Sequence, residues 1–415
     1  MEKAVNTKRI NISLKLFPWY SGLTDDLLFY IAIDTLFLTV VKNFTAAEIV
    51  SITSISQLIC IALQFPVLFI IKKIGNNLSI KAGAFFMLLS AVFIAFGQSY
   101  FLVLLGRVFH DVSAIFKNAS VVALENNLES LDRRGDFVKY RTSANTVYAV
   151  LTMLISFVAS YMFNLNHYLP MIGCITAAAI GFVLSLFVKD YSGYNKIVYK
   201  KKTGPKVKVR YNNIIIIAVI LFAMYYSIVS NGQSDGKLFI QENILLDFDL
   251  DQTSLIIGAI ICVSRIIRVI SNIVFDKLYK RFRDKMGVVL PVLLGIALSL
   301  LLFGSFIPQI IVKILVMATG YKVILFIRDP FRIYIQDVLF KSTPKEQHQV
   351  LLTVLDLGVK IATAVMGLVF SAILLSFSMA VIVAIMLVIS LVEIVLCIVL
   401  YRAIVAGKRA SQSIE

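Results

Sequence analysis

Residues 189–210 read KDYSGYNKIVYKKKTGPKVKVR, eight basic residues against one acid, set between long apolar runs. Working outward, each side of this stretch leaves room for six apolar segments. An apolar segment of about 20 residues spans a hydrocarbon layer roughly 30 Å thick as a helix. Lipid offers no partner to a bare peptide group, so each segment is read as helical. The first half gives 16–40, 46–71, 78–97, 100–124, 144–163 and 168–188. The second gives 213–232, 253–275, 287–306, 309–335, 352–374 and 379–401. The expected fold is an all-α membrane protein with twelve transmembrane helices in two six-helix bundles. Its expected divisions are 1–188, a cytoplasmic basic hinge at 189–211, and 212–415. The first segment carries Asp25, Asp26 and Asp34 and no small-residue cleavage site follows it, so it is read as a span and not a cleaved signal.

The formal net charge of +16 is not spread evenly. Lys and Arg crowd alternate loops, at 3–15, 72–81, 133–141, 189–210, 277–285, 341–345 and 402–409, while the loops between them hold only Lys42 and Lys237. By the positive-inside rule, both termini and the hinge lie in the cytoplasm, and the chain is expected in the plasma (inner) membrane. The basic excess then sets topology and meets anionic headgroups of the lipid bilayer, with no nucleic acid as partner. Cys60, Cys174, Cys262 and Cys397 fall inside spans without CxxC spacing, and His110, His167 and His348 lie in three separate segments. Neither pattern reads as a metal site. No Walker loop, GxSxG elbow or dinucleotide fingerprint is present, so no cofactor and no enzymatic activity are expected.

The halves align with one another. Phe44-Thr45 matches Phe248-Asp249, Lys72-Lys73-Ile74-Gly75 falls opposite Asp276-Lys277-Leu278-Tyr279, and Ile115-Phe116-Lys117-Asn118 falls opposite Phe326-Ile327-Arg328-Asp329. Asn126, Thr142 and Asn145 meet Asp337, Thr353 and Asp356. Polar residues thus recur at equivalent depths, as a duplication would leave them. Here the whole chain resembles the major facilitator superfamily. That family carries a Gly-x-x-x-Asp-(Arg/Lys)-x-Gly-basic-basic motif between spans two and three, and again between eight and nine. Asp276, Lys277, Lys280 and Arg281 match the later copy, with Tyr279 and Asn272 replacing its glycines. The earlier copy keeps a basic residue and Gly75 and lacks the aspartate. Arg107 matches the family's basic residue in span four. The resemblance implies two bundles around a cavity that opens alternately to each side, in a functional monomer. The Gly-Pro-Gly-Gly signature of drug/proton antiporters has no counterpart, since 144–163 contains neither Gly nor Pro.

Charges inside the hydrocarbon are costly, about 2.5–3.5 kcal/mol each on insertion scales, so each is expected to face protein or water. Asp26, Tyr30 and Asp34 lie four apart in the first span, with Asp25 beside them, and read as a polar stripe. The coupling candidates are Asp26, Asp34, Asp25 and Asp111. The structural alternative is that these carboxylates only pair with neighbouring cations. Arg107 and Asp111 stand one turn apart, able to pair, with His110 next to them. Arg328 and Arg332 form a second stripe, and Lys117 is the repeat equivalent of Arg328. These three are read as a gate, or as a clamp for an anionic cargo. Arg265 and Arg268 are expected to seek Asp25, Asp26, Asp34 or Asp356, and Asp356 is also spaced to pair with Lys360. Tyr30, Arg107, His110, Tyr226, Asn231, Arg265 and Arg268 complete the candidate cavity wall.

The expected function is secondary active transport of a small polar or charged solute, coupled to protons. The alternatives are a transporter-like lipid mover and an integral membrane transferase, whose only catalytic candidate is His110-Asp111. Cysteine labelling tests the topology directly. Single cysteines within 200–208 are expected to react only from the cytoplasmic side, and those within 247–251 only from outside. The reverse pattern overturns the topology.

Overall fold

The computed structural model describes residues 2–191, 213–282, 285–342 and 348–412; from residue 192 on, the hinge lies outside them. Among the described residues all regular structure is helical. In chain order the first half contributes α1 Glu2–Leu23, α2 Tyr30–Leu36, α3 Ala46–Ile74, α4 Asn76–Phe96, α5 Tyr100–Ser130, α6 Phe137–Leu165 and α7 Leu169–Ser185. The second contributes α8 Asn213–Leu245, α9 Leu250–Phe282, α10 Met286–Gly304, α11 Ile310–Ser342, α12 His348–Leu374 and α13 Met379–Gln412. Among the described residues, nine helices are long and apolar enough to cross a membrane. Helix α5 is absent from that set because Arg107, Asp111 and Lys117 interrupt its apolar run, which marks it as the helix that carries chemistry.

Thirteen helices stand where twelve spans were expected, because the first span is broken. Helix α1 stops at Leu23, α2 begins at Tyr30, and a π-helical turn at Phe37–Val41 follows. The expected continuous stripe of Asp26, Tyr30 and Asp34 therefore does not form; only Tyr30 and Asp34 share a helix. Short polar side chains compete with the helix by bonding nearby backbone. Asp26 Oδ1 accepts from the Leu27 N–H at 2.8 Å, and two adjacent carboxylates make the continuous helix costlier still.

Three other expectations are corrected. The basic stretch 3–15, read as a loop, is part of α1. Helix α8 runs thirteen residues past the expected end at residue 232, so Lys237 sits in a helix and is buried. The Asp276–Arg281 motif occupies the last turns of α9, and only a single residue, Gly75 at φ 82°, separates α3 from α4. Polar helices here are longer than the apolar windows that announce them, because backbone pairing continues beyond the hydrocarbon. The side chains of Asp276, Lys277 and Lys280 lie outside the described residues; Arg281 is exposed.

The chain forms two compact units. The first draws on the chain up to Phe44, the stretch from Ile55 to the hinge, and Leu250–Cys262. The second draws on Thr45–Ser54, the stretch after the hinge to Asp249, and Val263 onward. Each unit is thus completed by one helix start from the other half of the sequence, docked through small residues. In the first, Gly258 of α9 lies so close to Ser160 of α6 that a Cβ has no room. In the second, Gly367 of α12 lies equally close to Ser54 of α3, and Ser371 Oγ donates to the Ala47 carbonyl at 2.8 Å. Such close approach is how helices associate where lipid removes the hydrophobic drive.

Lys42, just past the π turn, is 6% exposed. Its Nζ donates to the carbonyl of Ala95 in the last turn of α4 at 2.7 Å and stands 5.1 Å and 5.6 Å from the rings of Phe37 and Tyr168. Burial holds this ammonium below the usual lysine range. A helix C-terminus and two ring faces are what favour a cation there. The substitution Lys42→Met is expected to destabilise the first unit by about 1–3 kcal/mol, the cost of an unmet buried group. Lys42→Arg should recover part of it, and an unchanged unfolding temperature for Lys42→Met removes the role.

Candidate functional site

In the first unit the break in span one and helix α5 bring the polar groups together. His110 is 9% exposed and lies between two carboxylates. Its Nε2 stands 3.1 Å from Asp26 Oδ1, and its Nδ1 stands 3.2 Å from Asp111 Oδ1. Ser56 Oγ of α3 donates to Asp111 Oδ2 at 2.7 Å. Asp111 thus turns to His110 and Ser56, and the expected Arg107–Asp111 pair is not formed; Arg107 Nε is buried without a hydrogen-bond partner. Arg107 stays within electrostatic reach of Asp111, Asp26, Tyr30 and Asp34.

Proton counting decides what this arrangement can hold. An ionised carboxylate only accepts, and a neutral imidazole supplies one donor. Two ring nitrogens facing two carboxylate oxygens need two donors. The arrangement thus has a place for one further proton, on the imidazole or on one of the acids. With it, Asp26, Asp111, His110 and Arg107 sum to zero charge; without it they sum to −1.

The break is repaired by the same neighbourhood. The Tyr30 N–H, freed at the start of α2, donates to Cys174 Sγ of α7 at 3.2 Å. Phe29 packs its ring on Gly173, where a Cβ would stand 3.1 Å away. Thr24 Oγ1 returns to the Tyr20 carbonyl at 2.7 Å, and Asp34 Oδ1 accepts from the Thr35 N–H at 2.7 Å. Asp25 pairs with Lys117, whose Nζ also donates to the Ser21 carbonyl at 3.0 Å. Lys117 is therefore committed to the break and does not present a free charge for an anion clamp.

The second unit gathers a different set. Arg328 Nη1 of α11 donates to Gln233 Oε1 at 2.9 Å and its Nε to the Tyr226 hydroxyl at 3.3 Å, with the guanidinium 5.6 Å from the Tyr226 ring. Asn231 Nδ2 reaches the Thr363 carbonyl at 3.5 Å, and Thr363 Oγ1 donates to Ser227 Oγ at 3.2 Å. Arg332 pairs with Asp356 at 2.8 Å. That contact replaces the expected Asp356–Lys360 pair and takes the carboxylate offered to Arg265, which is half-buried in α9. The side chain of Arg268 lies outside the described residues. Among the described residues, no three His, Cys, Asp or Glu side chains cluster as a metal site requires.

The sequence brought Asp26, Tyr30, Arg107, His110 and Asp111 to notice as charges in lipid. It missed Ser56, Cys174 and Thr363, which have no local signal: a single hydroxyl or thiol in an apolar helix reads as a small core residue.

Residues 21–339, well over half of the chain, match the family model of the Major Facilitator Superfamily. The solved structure of the nucleoside transporter NupG, in an aspartate-to-alanine form, superposes with a TM-score of 0.73 at 12% identity, over 96% of this chain and 99% of that one. A bacterial homologue of the iron transporter ferroportin, in its inward-facing state, gives 0.72 at 13% identity over 96% and 99%. A second NupG structure gives 0.68 at 12% identity over 96% and 98%. At these identities the likeness carries the fold. No curated protein sequence matches the chain.

Proposed function

The chain belongs to the major facilitator superfamily, and on that premise we propose that it is a proton-coupled secondary transporter of a small polar or charged solute. It is a membrane transport protein and not an enzyme. The finer reading takes 1–188 and 212–415 as the two moving bundles, joined by the basic segment 189–211. They would work by alternating access in the plasma membrane, as a monomer with both termini in the cytoplasm.

The observation that supports the coupling is the seat of His110 between Asp26 and Asp111, with each ring nitrogen at hydrogen-bond distance from a carboxylate oxygen. When the further proton leaves, one carboxylate loses its donor inside a poorly solvated site. Arg107 lies within electrostatic reach of both carboxylates, its Nε already without a partner. It stands one turn before Asp111, the spacing of an intrahelical ion pair. Deprotonation then swaps a His110–Asp111 contact for an Arg107–Asp111 one within α5 and alters the His110–Asp26 contact that ties α5 to the broken span. Proton loading and helix geometry are thereby two readings of one equilibrium, as coupling requires.

In the second unit Arg328 uses two of its five donors on neutral partners. Its charge is balanced by no carboxylate among those contacts, which favours cargo with an acceptor-rich or anionic face. Nucleosides and divalent metal ions enter the screening panel because the neighbours of like fold are named for nucleosides and iron.

Cargo is found by thermal shift of the purified protein against nucleosides, nucleotides, organic acids and divalent metal salts. A true ligand at a hundredfold excess over its Kd stabilises by about 2.7 kcal/mol. With that ligand in proteoliposomes, Asp26→Asn is expected to reduce uphill movement to background and leave exchange down a gradient partly intact. Asparagine keeps a hydrogen-bonding group beside His110 but carries no proton across. Uphill movement at the wild-type rate in both Asp26→Asn and Asp34→Asn would make these carboxylates structural and remove the coupling assignment.

A further inference from the structure

Outside the network around His110, one acid stands apart among the described residues. Glu393 of α13 is 0% exposed, and both of its carboxylate oxygens are buried without a hydrogen-bond partner. It lies fourteen residues after Met379, about 21 Å along the helix at 1.5 Å per residue, near the middle of a span. We propose that Glu393 is a proton-binding site of the second unit, holding a neutral carboxyl group locked between α13, α8 and α10.

The surroundings exclude the usual ways of keeping a buried carboxylate charged. Helix α13 packs mainly on α10 and α8 and lightly on α12, whose Asp356 is held by Arg332 and whose Lys360 is exposed. Helix α10 carries no titratable residue along its length. It meets this turn through Gly295, where a Cβ would stand 3.3 Å from Ile394 and 3.6 Å from Ser390. The Ser390 hydroxyl is spent on the Leu387 carbonyl at 2.7 Å. From α8 the titratable neighbour is Tyr225, fully buried, whose hydroxyl donates to the Ile327 carbonyl at 3.3 Å while its ring stacks on Phe331 at 3.7 Å. On α13 itself Cys397 follows one turn later, also buried. Tyr226, next on α8, is engaged by Arg328. None of these is a cation at Glu393.

An isolated ionised carboxylate in such a place loses its hydration and gains nothing in return, so the group binds a proton instead. Water reaches it only if the α8–α10–α13 packing opens. The proton is therefore trapped while the unit is closed and exchangeable when it loosens. The two units then bind protons by opposite designs: His110 shares its proton among three side chains, and Glu393 keeps one alone. This inference does not rest on the coupling role given to Asp26 and His110.

The test is infrared difference spectroscopy of the full-length protein in lipid, reading the carbonyl band of a protonated carboxylic acid near neutral pH. The wild-type spectrum minus that of Glu393→Gln is expected to show this band, with slow hydrogen–deuterium exchange, and His110→Gln is expected to retain it. Glu393→Met, of similar volume and apolar, serves if the glutamine variant does not fold. Stability against pH gives a second readout. An ordinary glutamate ionises above about pH 4.3, so the unfolded chain releases a proton that the folded state keeps. Stability then falls as pH rises above that point, because the folded state binds the extra proton. The unfolding temperature of Glu393→Gln relative to wild type should climb from mildly acidic to mildly alkaline pH. A difference spectrum without the protonated-carboxyl band, or parallel stability curves for the two proteins, overturns the proposal.

Discussion

A helix interrupted inside hydrocarbon must find a partner for every peptide group it frees, and the interruption at Thr24–Phe29 is the constraint on which the first unit depends. Asp26 meets it by bonding the Leu27 N–H with the same oxygen that faces His110 Nε2. Cys174 takes the Tyr30 N–H, and Lys117 holds both Asp25 and the Ser21 carbonyl. Repair of the break and the proposed proton site therefore use the same atoms. Each buried group left unmet costs about 1–3 kcal/mol, a large share of what keeps a protein folded. A substitution at Asp26 or Lys117 is felt by the backbone as well as by the proton network.

Charge is handled differently in the two units. In the first, acids and bases are matched nearly one to one around α5, and the balance closes only when one extra proton is counted. In the second, Arg328 stands against neutral oxygens, Arg332 is matched by Asp356, and Glu393 is alone. A site whose neutrality depends on a proton responds to proton gradients. A site whose guanidinium meets only neutral oxygens among the described residues responds to the charge of what enters it. That division fits the proposed separation of coupling from cargo binding.

The span count and helical class were legible because twenty-residue apolar runs leave only one satisfied backbone geometry. The break in span one was not. Its apolar content passes for a continuous helix, and only the competition of two adjacent aspartates with the backbone ends α1. Helix ends were misjudged at α8 and α9 because polar turns remain helical after hydropathy fades. The site was half visible: intramembrane charges announced His110 and its acids, while their partners depended on packing. Sequence spacing paired Arg107 with Asp111 and Asp356 with Lys360. Asp111 instead meets its sequence neighbour His110 and, across helices, Ser56, while Asp356 meets Arg332. Glu393 passed unnoticed because one acid late in an apolar helix carries no pattern.

The central claim is that the Asp26–His110–Asp111 network holds one proton more than a neutral imidazole between two carboxylates. Nitrogen-15 NMR of protein labelled at histidine in lipid reads it without knowledge of the cargo. Three histidines are present, and removing His110 assigns its signals. Near neutral pH both ring nitrogens of His110 should carry protons in strong hydrogen bonds, and Asp26→Asn should convert the ring to a neutral tautomer. A neutral His110 in the wild type, with Asp26 and Asp111 both ionised by carbon-13 shift, would contradict the account.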